Sequence, residues 1–183
     1  MDNGEGSYRR FLEGDESAFD DLLDLYQENL IFFLNRYVQN ITVAEDLAAD
    51  AFLELIVHKR RYNFRTSLKT YLFMIGRSRA LNYLKRAKRF STVNISEIEE
   101  ILPDEDALEE HIFRKEENRL LYRGMRGLRE DYQIALHLVY FENMTYEETA
   151  RVMKKNKKQI NNLVYRAKKA LRSVLEGENQ GEI

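Results

Sequence analysis

The sequence predicts an all-α protein of two small helical domains joined by a flexible acidic linker, the second domain being a helix-turn-helix. Three observations predict this fold class. The 183 residues include one proline and eight glycines, which favours long helices over a turn-rich β-fold. Hydrophobic residues make up 44% of the chain and recur at three- and four-residue spacings. Basic and acidic residues are also segregated into long blocks.

The formal net charge of −2 conceals this segregation. Residues 1–58 carry 13 acidic side chains and three arginines, whereas residues 59–90 carry 11 basic side chains and no acidic one. Residues 97–117 hold ten acidic side chains, and residues 151–172 hold nine basic side chains and no acidic one. Two acid-free basic blocks indicate two polyanion-binding surfaces, although either block alone could be a solvated helix face.

The acidic stretch around Pro103 has little helical periodicity and contains the only proline. We therefore predict a first domain over residues 1–90, a linker over residues 91–112 and a second domain over residues 113–183.

The chain has no cysteine, which excludes disulfides, thiol nucleophiles and cysteine–zinc sites. Because the N-terminus is acidic and polar and no apolar run reaches membrane-spanning length, we expect a soluble, cytoplasmic protein.

In the first domain, apolar spacing predicts a helix over residues 18–38. A second helix is predicted to begin at Thr42, which would form a capping box with Glu45. Its three carboxylates at four-residue steps share one face: Asp46, Asp50 and Glu54. This row is either a solvated acidic face or a docking face for a basic partner, and the spacing alone favours neither.

A third helix is predicted over residues 67–89, apolar on more than one side and so central to a bundle. Its polar positions are almost all basic, and aromatic residues lie among them: Tyr62, Phe64, Tyr71 and Tyr83. Cations with interleaved aromatics suit single-stranded nucleic acid, in which phosphates meet charge and unstacked bases meet rings. Each aromatic residue taken singly could equally belong to the core.

In the second domain, a helix is predicted over residues 130–141, followed by a short helix capped by Thr145 and Glu148. A turn over residues 154–156 leads into a last helix over residues 157–175. This helix would bury Ile160, Leu163, Val164, Ala167, Leu171 and Val174, and would carry on the opposite side Lys158, Asn162, Tyr165, Lys169 and Arg172.

A short capped helix, a tight turn and a basic helix form a helix-turn-helix, whose last helix would enter the major groove of DNA. Lysine and asparagine suit guanine and adenine edges there. The flanking cations would contact phosphates instead: Lys154, Lys155, Arg166 and Lys168. The alternative is an ordinary helical hairpin with a basic exterior.

With both domains considered, the chain resembles an extracytoplasmic-function sigma factor of the sigma-70 family over about residues 19–175. AEDLAADAFLELI (44–56) resembles the polymerase-binding segment of that family, and SLKTYLFMIGRSRALNYLKR (67–86) resembles its promoter-melting helix. MTYEETA (144–150) and VYRAKKAL (164–171) resemble its promoter-reading helix-turn-helix. The order and spacing of these motifs make the resemblance specific.

The resemblance implies a protein without catalysis or cofactor of its own that recruits core RNA polymerase (the β′ coiled coil and the β subunit) to promoter DNA. It implies polymerase contacts from Asp46, Leu47, Asp50, Phe52, Leu53 and Glu54. The −10 element would be bound by the loop over residues 63–67 and the following helix, through Asn63, Arg65, Lys69, Arg77, Ser78, Asn82, Lys85 and Arg86. The −35 element would be bound by Lys154, Lys157, Lys158, Asn161, Asn162, Tyr165, Arg166 and Lys169.

The resemblance also implies control by an anti-sigma factor and no membrane insertion. Where the family usually has a glycine in the turn of the helix-turn-helix, this chain has Lys154 and Lys155, which predicts a wider or differently capped turn.

Two rival classes of function remain. An enzyme is disfavoured because the histidines are scattered (His58, His111 and His137) and look like ordinary helix residues. A helix-turn-helix regulator that binds duplex DNA without acting as a polymerase subunit would not need the first domain.

Overall fold

The computed structural model describes residues 4–91, 121 and 123–178. The chain divides into two compact units, Met1–Pro103 and Asp104–Ile183. The described residues of both units form helices and no β-strand, which confirms the predicted all-α fold class. Of the predicted linker, residues 92–112 lie outside the described part of the chain. Among the described helices, none is long and apolar enough to cross a bilayer.

The first unit consists of four α-helices and one short 3₁₀ turn within its described residues. In chain order these are α1 (Glu5–Leu12), α2 (Ala18–Val38), α3 (Ile41–Val57), the 3₁₀ turn (Lys59–Arg61) and α4 (Leu68–Ser91). The bounds of α2 are those predicted from its apolar spacing. Helix α4 begins one residue after its predicted start, because the Ser67 hydroxyl accepts a hydrogen bond from the Thr70 backbone N–H (3.2 Å) and so caps the helix.

The core of the first unit lies where α2 packs against α3 and α4. The rings of Phe33 and Phe73, both fully buried, lie 4.9 Å apart between their centroids. Gly76 on α4 allows this close packing, because a Cβ atom at that position would lie 2.9 Å from Leu30 Cδ1. Helices α2 and α4 therefore form a tightly packed pair, which fixes the orientation of α4 and of the basic side chains on its exposed side.

The start of α3 differs from its prediction. The residue that caps α3 is Asn40, whose Oδ1 accepts a hydrogen bond from the Val43 N–H (3.1 Å), and not Thr42. The reason lies one residue earlier, since α2 ends at Gln39 in the left-handed conformation (φ 51°). The chain reverses there, so Asn40 takes the extended conformation that a capping residue needs. Thr42 falls inside the first helical turn and is exposed.

Helix α1 was not predicted from the sequence. It is short, and its polar residues outnumber the two aromatic residues that it buries, Tyr8 and Phe11. Tyr8 is completely inaccessible to solvent, with its ring against those of Tyr62 and Phe64. The helix therefore owes its position to tertiary packing rather than to a strong local pattern.

The second unit contains α5 (Glu130–Leu136), a π-helical segment (His137–Phe141), α6 (Tyr146–Met153) and α7 (Lys157–Glu178). Its core includes Met125, Leu128, Leu136, Ala167 and Leu171. The predicted bounds of a helix over residues 130–141 are confirmed, but its last part is π-helical, since the Glu142 N–H donates to the His137 carbonyl five residues earlier (3.1 Å). The wider helical turn buries His137 and Leu138 and leaves Val139 half-buried.

Candidate nucleic-acid and protein interfaces

Helix α3 presents a mixed acidic and apolar stripe to solvent. Asp46, Asp50, Leu53 and Val57 follow one another at helical spacing, and all four are exposed. Leu53 is 54% exposed and Val57 63%, and their four-residue spacing makes them neighbours on the helix surface. The stripe therefore offers both negative charge and apolar area to a partner.

The other predicted polymerase-binding residues of α3 lie elsewhere. Leu47 and Phe52 are buried and pack within the unit, so neither side chain lies on the exposed stripe. Glu54 is half-buried and faces α4, where Arg79 donates to Glu54 Oε2 from Nε (3.2 Å) and Nη2 (2.7 Å). Arg61 Nη1 lies 3.5 Å from the other Glu54 oxygen. Glu54 thus links α3 to α4, and Arg79 Nη1 also lies 3.9 Å from Asp50 Oδ2.

The loop over residues 63–67, here called the capture loop, has a well-defined backbone. Asn63 Oδ1 accepts a hydrogen bond from the Arg65 N–H (3.1 Å), and the Tyr62 hydroxyl donates to the Thr66 carbonyl (2.6 Å). Phe64 occupies the left-handed region with φ 58°. Asn63 and Arg65 are exposed on either side of it. The loop therefore presents two polar side chains from a compact turn at the start of α4.

The structure separates the aromatic residues of this region by burial. Tyr62 is 4% exposed and belongs to the core, whereas Phe64 and Tyr71 are half-buried and Tyr83 is 39% exposed. Burial raises the pKa of Tyr71, with a further contribution from the nearby Glu54 carboxylate, so its hydroxyl stays protonated. Tyr83 is therefore the one of these four aromatic residues whose side chain is exposed.

Helix α4 arranges its predicted DNA-binding residues along its length. Ser78, Asn82, Lys85 and Arg86 are exposed and share one side of the helix at 100° per residue. Lys69 lies in the first turn, on the opposite side, with its ammonium 5.9 Å from the Phe73 ring centroid, and Arg77 is half-buried. From Lys69 to Arg86 the helix rises about 25 Å, enough to follow an extended strand of several nucleotides.

The helix-turn-helix begins with the predicted capping box. The Glu148 N–H donates to Thr145 Oγ1 (3.2 Å), and the Thr145 N–H donates to Glu148 Oε2 (2.9 Å). A second reciprocal pair opens α7, because Gln159 N–H donates to Asn156 Oδ1 and Asn156 N–H donates to Gln159 Oε1, both at 2.8 Å. Each helix of the motif therefore begins with a reciprocal cap, of which the Thr145–Glu148 pair was predicted from the sequence.

The turn between α6 and α7 is compact, so of the two predicted alternatives the wider turn is wrong, and the cap is a lysine in place of glycine. Lys154 itself adopts the left-handed conformation (φ 52°, ψ 46°) that glycine usually supplies. The Lys155 N–H donates to the Ala150 carbonyl (2.9 Å), which closes the turn behind it. A lysine thus takes the geometry of the family's glycine at some cost in backbone strain.

Replacing Lys154 with glycine is expected to raise the free energy of unfolding of the second unit by about 0.5–1 kcal/mol, because it removes the left-handed strain at that position. The measurement is urea denaturation of the full chain, combined with hydrogen exchange at the amides of α6 and α7. Lys155→Gly is the matched control: it removes the same charge at a position without a positive φ, and is expected to lower stability. Equal destabilisation by both variants would contradict the strain argument.

The outer face of α7 is exposed and basic, as predicted. Six of the predicted DNA-binding residues lie there: Lys158, Asn161, Asn162, Tyr165, Arg166 and Lys169. Tyr165 is 72% exposed, so its ring stands out from an otherwise polar surface. Lys154 lies on the preceding turn. The ammonium of Lys157 pairs with Glu147 of α6, which also holds the pKa of Glu147 below its ordinary value. Lys157 therefore ties the two helices of the motif together.

A groove of about 210 Å³ lies beside this face. It brings Arg129, which was not among the predicted DNA-binding residues, next to α7. Its lining combines Arg129, Asp131 and Tyr132 with Gln159, Asn162, Leu163 and Arg166. The Arg129 guanidinium lies 5.1 Å from the Tyr132 ring centroid and 3.0 Å from Asp131 Oδ2. In the sequence, Arg129 precedes two acidic residues and lies far from α7. No local pattern therefore associates it with that helix.

His137 is more than the ordinary helix residue that its sequence context predicts. Its Nε2 lies 3.3 Å from Glu142 Oε1, and the two side chains are 5% and 3% exposed. The imidazole also stacks on the Phe141 ring, with centroids 5.6 Å apart. This buried pair spans the π-helical segment immediately before α6. Among the described residues, no group of three or more potential ligands is placed to hold a metal ion.

Two family models match the chain. The model described as Sigma-70 region 2 matches residues 22–90, and the model described as Sigma-70, region 4 matches residues 118–171. Among curated relatives, the RNA polymerase sigma-H factor of Pseudomonas aeruginosa is 28% identical over 177 residues, which cover 91% of each chain. The ECF RNA polymerase sigma-E factor of Escherichia coli is 27% identical over 170 residues, which cover 88% of each chain.

The fold is also similar to solved structures. The sigma factor RpoE from Bartonella quintana, in complex with the anti-sigma factor NepR, superposes with a TM-score of 0.68 at 21% identity, covering 86% of this chain and 96% of that one. CnrH, in complex with the cytosolic domain of CnrY, gives a TM-score of 0.66 at 16% identity, covering 96% and 99%. Since region 2 and region 4 follow one another on a chain that spans most of the length of its relatives, the protein belongs to the sigma-70 family as an extracytoplasmic-function sigma factor.

Proposed function

We propose that this sigma factor binds core RNA polymerase, directs it to specific promoters and helps to melt the −10 element. The observation that carries the proposal is that one chain holds two cation-rich surfaces of different construction. Helix α4 and the capture loop offer cations and an exposed aromatic residue, which suit a melted strand. Helix α7, in a helix-turn-helix, suits the major groove of a closed duplex.

For polymerase binding we assign the direct contacts to the exposed stripe of α3, in which Asp46, Asp50 and Leu53 would face the β′ coiled coil. Their negative charge complements a basic partner, and Leu53 adds apolar area that would be buried on binding. Leu47 and Phe52 would support the helix from within. Glu54 would fix α3 against α4 through Arg79.

For the −10 element we assign the base-capturing role to the capture loop, with Asn63 and Arg65, and the strand-tracking role to α4. The exposed side of α4 supplies Ser78, Asn82, Lys85 and Arg86. Lys69 and Arg77 would take phosphates at the start and middle of the helix, because their cations lie away from that side. Contacts to phosphates position the strand, whereas contacts to base edges select its sequence.

For the −35 element we assign base reading to Lys158, Asn161, Asn162, Tyr165 and Lys169 of α7 and phosphate contacts to Lys154 and Arg166. All seven are exposed. Arg129 would add a phosphate contact, since it shares the groove with Arg166. Lys157 would act within the motif, through Glu147, rather than at the DNA.

We further propose that the protein acts in the cytoplasm, without catalysis or cofactor of its own, and that an anti-sigma factor holds it inactive. The support for the last point is the neighbour RpoE, which is bound to the anti-sigma factor NepR. A helix-turn-helix regulator that never contacts polymerase is not favoured, because it would leave the α3 stripe and the basic face of α4 without a role.

Run-off transcription with purified core polymerase on genomic DNA of the encoding organism tests the proposal. Adding the chain is expected to produce transcripts from defined start points, and the chain is expected to co-elute with core polymerase in gel filtration. Duplex DNA binding by the chain alone, without co-elution or transcripts, would favour the regulator instead. The variant Asp50→Lys, which inverts a charge on the α3 stripe, serves as the control for specific assembly with core polymerase.

A further inference from the structure

Helix α1 packs directly against the capture loop. Its Arg9 guanidinium lies 4.0 Å from the centroid of the Phe64 ring, within the range of a cation–π contact. Glu5 Oε1 lies 3.2 Å from the hydroxyl of Tyr62, the residue that precedes the loop. Two side chains of one short helix therefore reach the two aromatic residues on which the loop is built.

Phe64 needs such support because its backbone is strained. An aromatic residue in the left-handed region is unfavourable unless the surroundings hold it there. The Phe64 ring is held on one side by Tyr62, with centroids 4.6 Å apart, and on another by the Arg9 cation. Because Asn63 and Arg65 flank Phe64, its backbone conformation sets the directions in which they point.

Helix α1 is itself anchored to the end of α3. The Tyr8 hydroxyl donates to the Lys59 carbonyl (2.9 Å) and lies 3.3 Å from the Leu55 carbonyl. Burial raises the pKa of Tyr8 to about 12, so the hydroxyl remains a donor at neutral pH. Arg9 follows Tyr8 directly, so the backbone that carries the Arg9 side chain is fixed relative to α3.

We propose that α1 is a positioning element for the capture loop, in which Arg9 holds Phe64 in its left-handed conformation and so aligns Asn63 and Arg65 for the −10 strand. This inference rests on the proposed function of the loop. Arg9 is a positioning residue here: it acts through Phe64 and does not itself contact DNA. The basic residue beside it, Arg10, pairs instead with Asp15 and Asp21, away from the loop.

The test compares the wild-type chain with Arg9→Ala, Arg9→Lys and Arg10→Ala. Hydrogen exchange at residues 63–67 in the full chain reports on the conformation of the loop. Fluorescence anisotropy of the polymerase holoenzyme reports on affinity for a labelled single strand, namely the non-template −10 strand of a promoter mapped by run-off transcription. Thermal melting of each variant checks the fold.

Arg9→Ala is expected to speed exchange in the loop and to weaken strand binding about threefold to tenfold, the scale of one cation–π contact. Arg9→Lys keeps a cation over the ring and is expected to restore most of both properties. Arg10→Ala removes an equal charge from the same helix and is expected to change neither. Affinity for core polymerase should stay at its wild-type value in all three variants.

Three results would overturn the inference. Unchanged exchange together with unchanged strand affinity in Arg9→Ala would show that neither the loop nor strand binding depends on Arg9. Faster exchange with unchanged strand affinity would show that the loop conformation is irrelevant to binding. Weaker binding without faster exchange would make Arg9 a direct DNA contact. If the wild-type chain directs no transcription, the proposed function fails, while the exchange experiment still decides whether Arg9 holds the loop.

Discussion

Asn162→Ala is expected to weaken binding of the holoenzyme to its preferred −35 duplex by about 1–3 kcal/mol and to change the order of preference among −35 sequences. The reason is that Asn162 is exposed near the start of α7, where side chains of a helix-turn-helix reach base edges. An asparagine amide can both donate to and accept from an adenine, and alanine can do neither. Lys158→Ala should act similarly at a neighbouring base. Affinities for a panel of duplexes at one fixed salt concentration provide the measurement.

Two variants of α7 serve as controls for base reading. Lys168 is a predicted phosphate contact whose ammonium lies beside Tyr140 (4.9 Å from the ring centroid), away from the side of α7 that carries Asn162. Lys168→Ala is therefore expected to lower affinity by a similar factor for every duplex. Ser173→Ala should leave binding unchanged, since the Ser173 hydroxyl donates to the Lys169 carbonyl within the same helix. A uniform loss for Asn162→Ala, like that of Lys168→Ala, would mean that Asn162 only contacts phosphate.

Asp50→Lys is expected to reduce affinity for core polymerase about tenfold or more, equivalent to at least about 1.4 kcal/mol. The substitution inverts an exposed charge in the middle of the α3 stripe and would set it against a basic partner. It should cost the fold little, because Asp50 lies 3.9 Å from Arg79 and exposed ion pairs contribute at most about 1 kcal/mol. Titration of labelled chain with core polymerase measures the change.

Glu45→Lys is the matched control for this charge inversion. Glu45 is exposed on the same helix, but it lies about 140° around the axis from Asp50. We expect it to bind core polymerase nearly as well as the wild-type chain, at the same net charge as Asp50→Lys. Equal losses for the two variants would show that overall charge, and not the stripe, determines the affinity.

The elements that could be predicted from sequence are those fixed by residues within one or two helical turns. The bounds of α2 follow from its own apolar spacing. The Thr145 capping box and the Asn156 cap of α7 follow from side chains three residues apart. The outer face of α7 follows likewise, because a helix whose apolar stripe is clear has its exposed side decided as well.

The elements that were missed depend on contacts between distant residues. Asn40 and Thr42 both have the chemistry of a cap, and the left-handed Gln39 at the end of α2 decides between them. Helix α1 depends on Tyr8 reaching carbonyls near the end of α3. The π-helical segment accompanies a buried His137–Glu142 pair, which a regular helical period does not reveal.

The candidate sites show the same division. Charge blocks in the sequence locate the two basic surfaces and the acidic row on α3. They do not decide which residues of α3 touch a partner: Leu47 and Phe52 lie on its apolar stripe and are buried, although the family resemblance implies that both contact polymerase. Nor do they show which ions are paired across helices, as Lys157 is with Glu147.

The ion pairs of Glu54 have a consequence for how strand binding responds to salt. Each phosphate that a protein cation neutralises releases bound counterions, with a slope of about 0.7 per contact for single strands. The 11 basic residues between positions 59 and 90 would suggest a steep response. Arg79 and Arg61, however, already lie beside Glu54, so their charge is partly neutralised within the protein. The ionic-strength dependence of −10 strand association should therefore be shallower than a count of lysines and arginines implies.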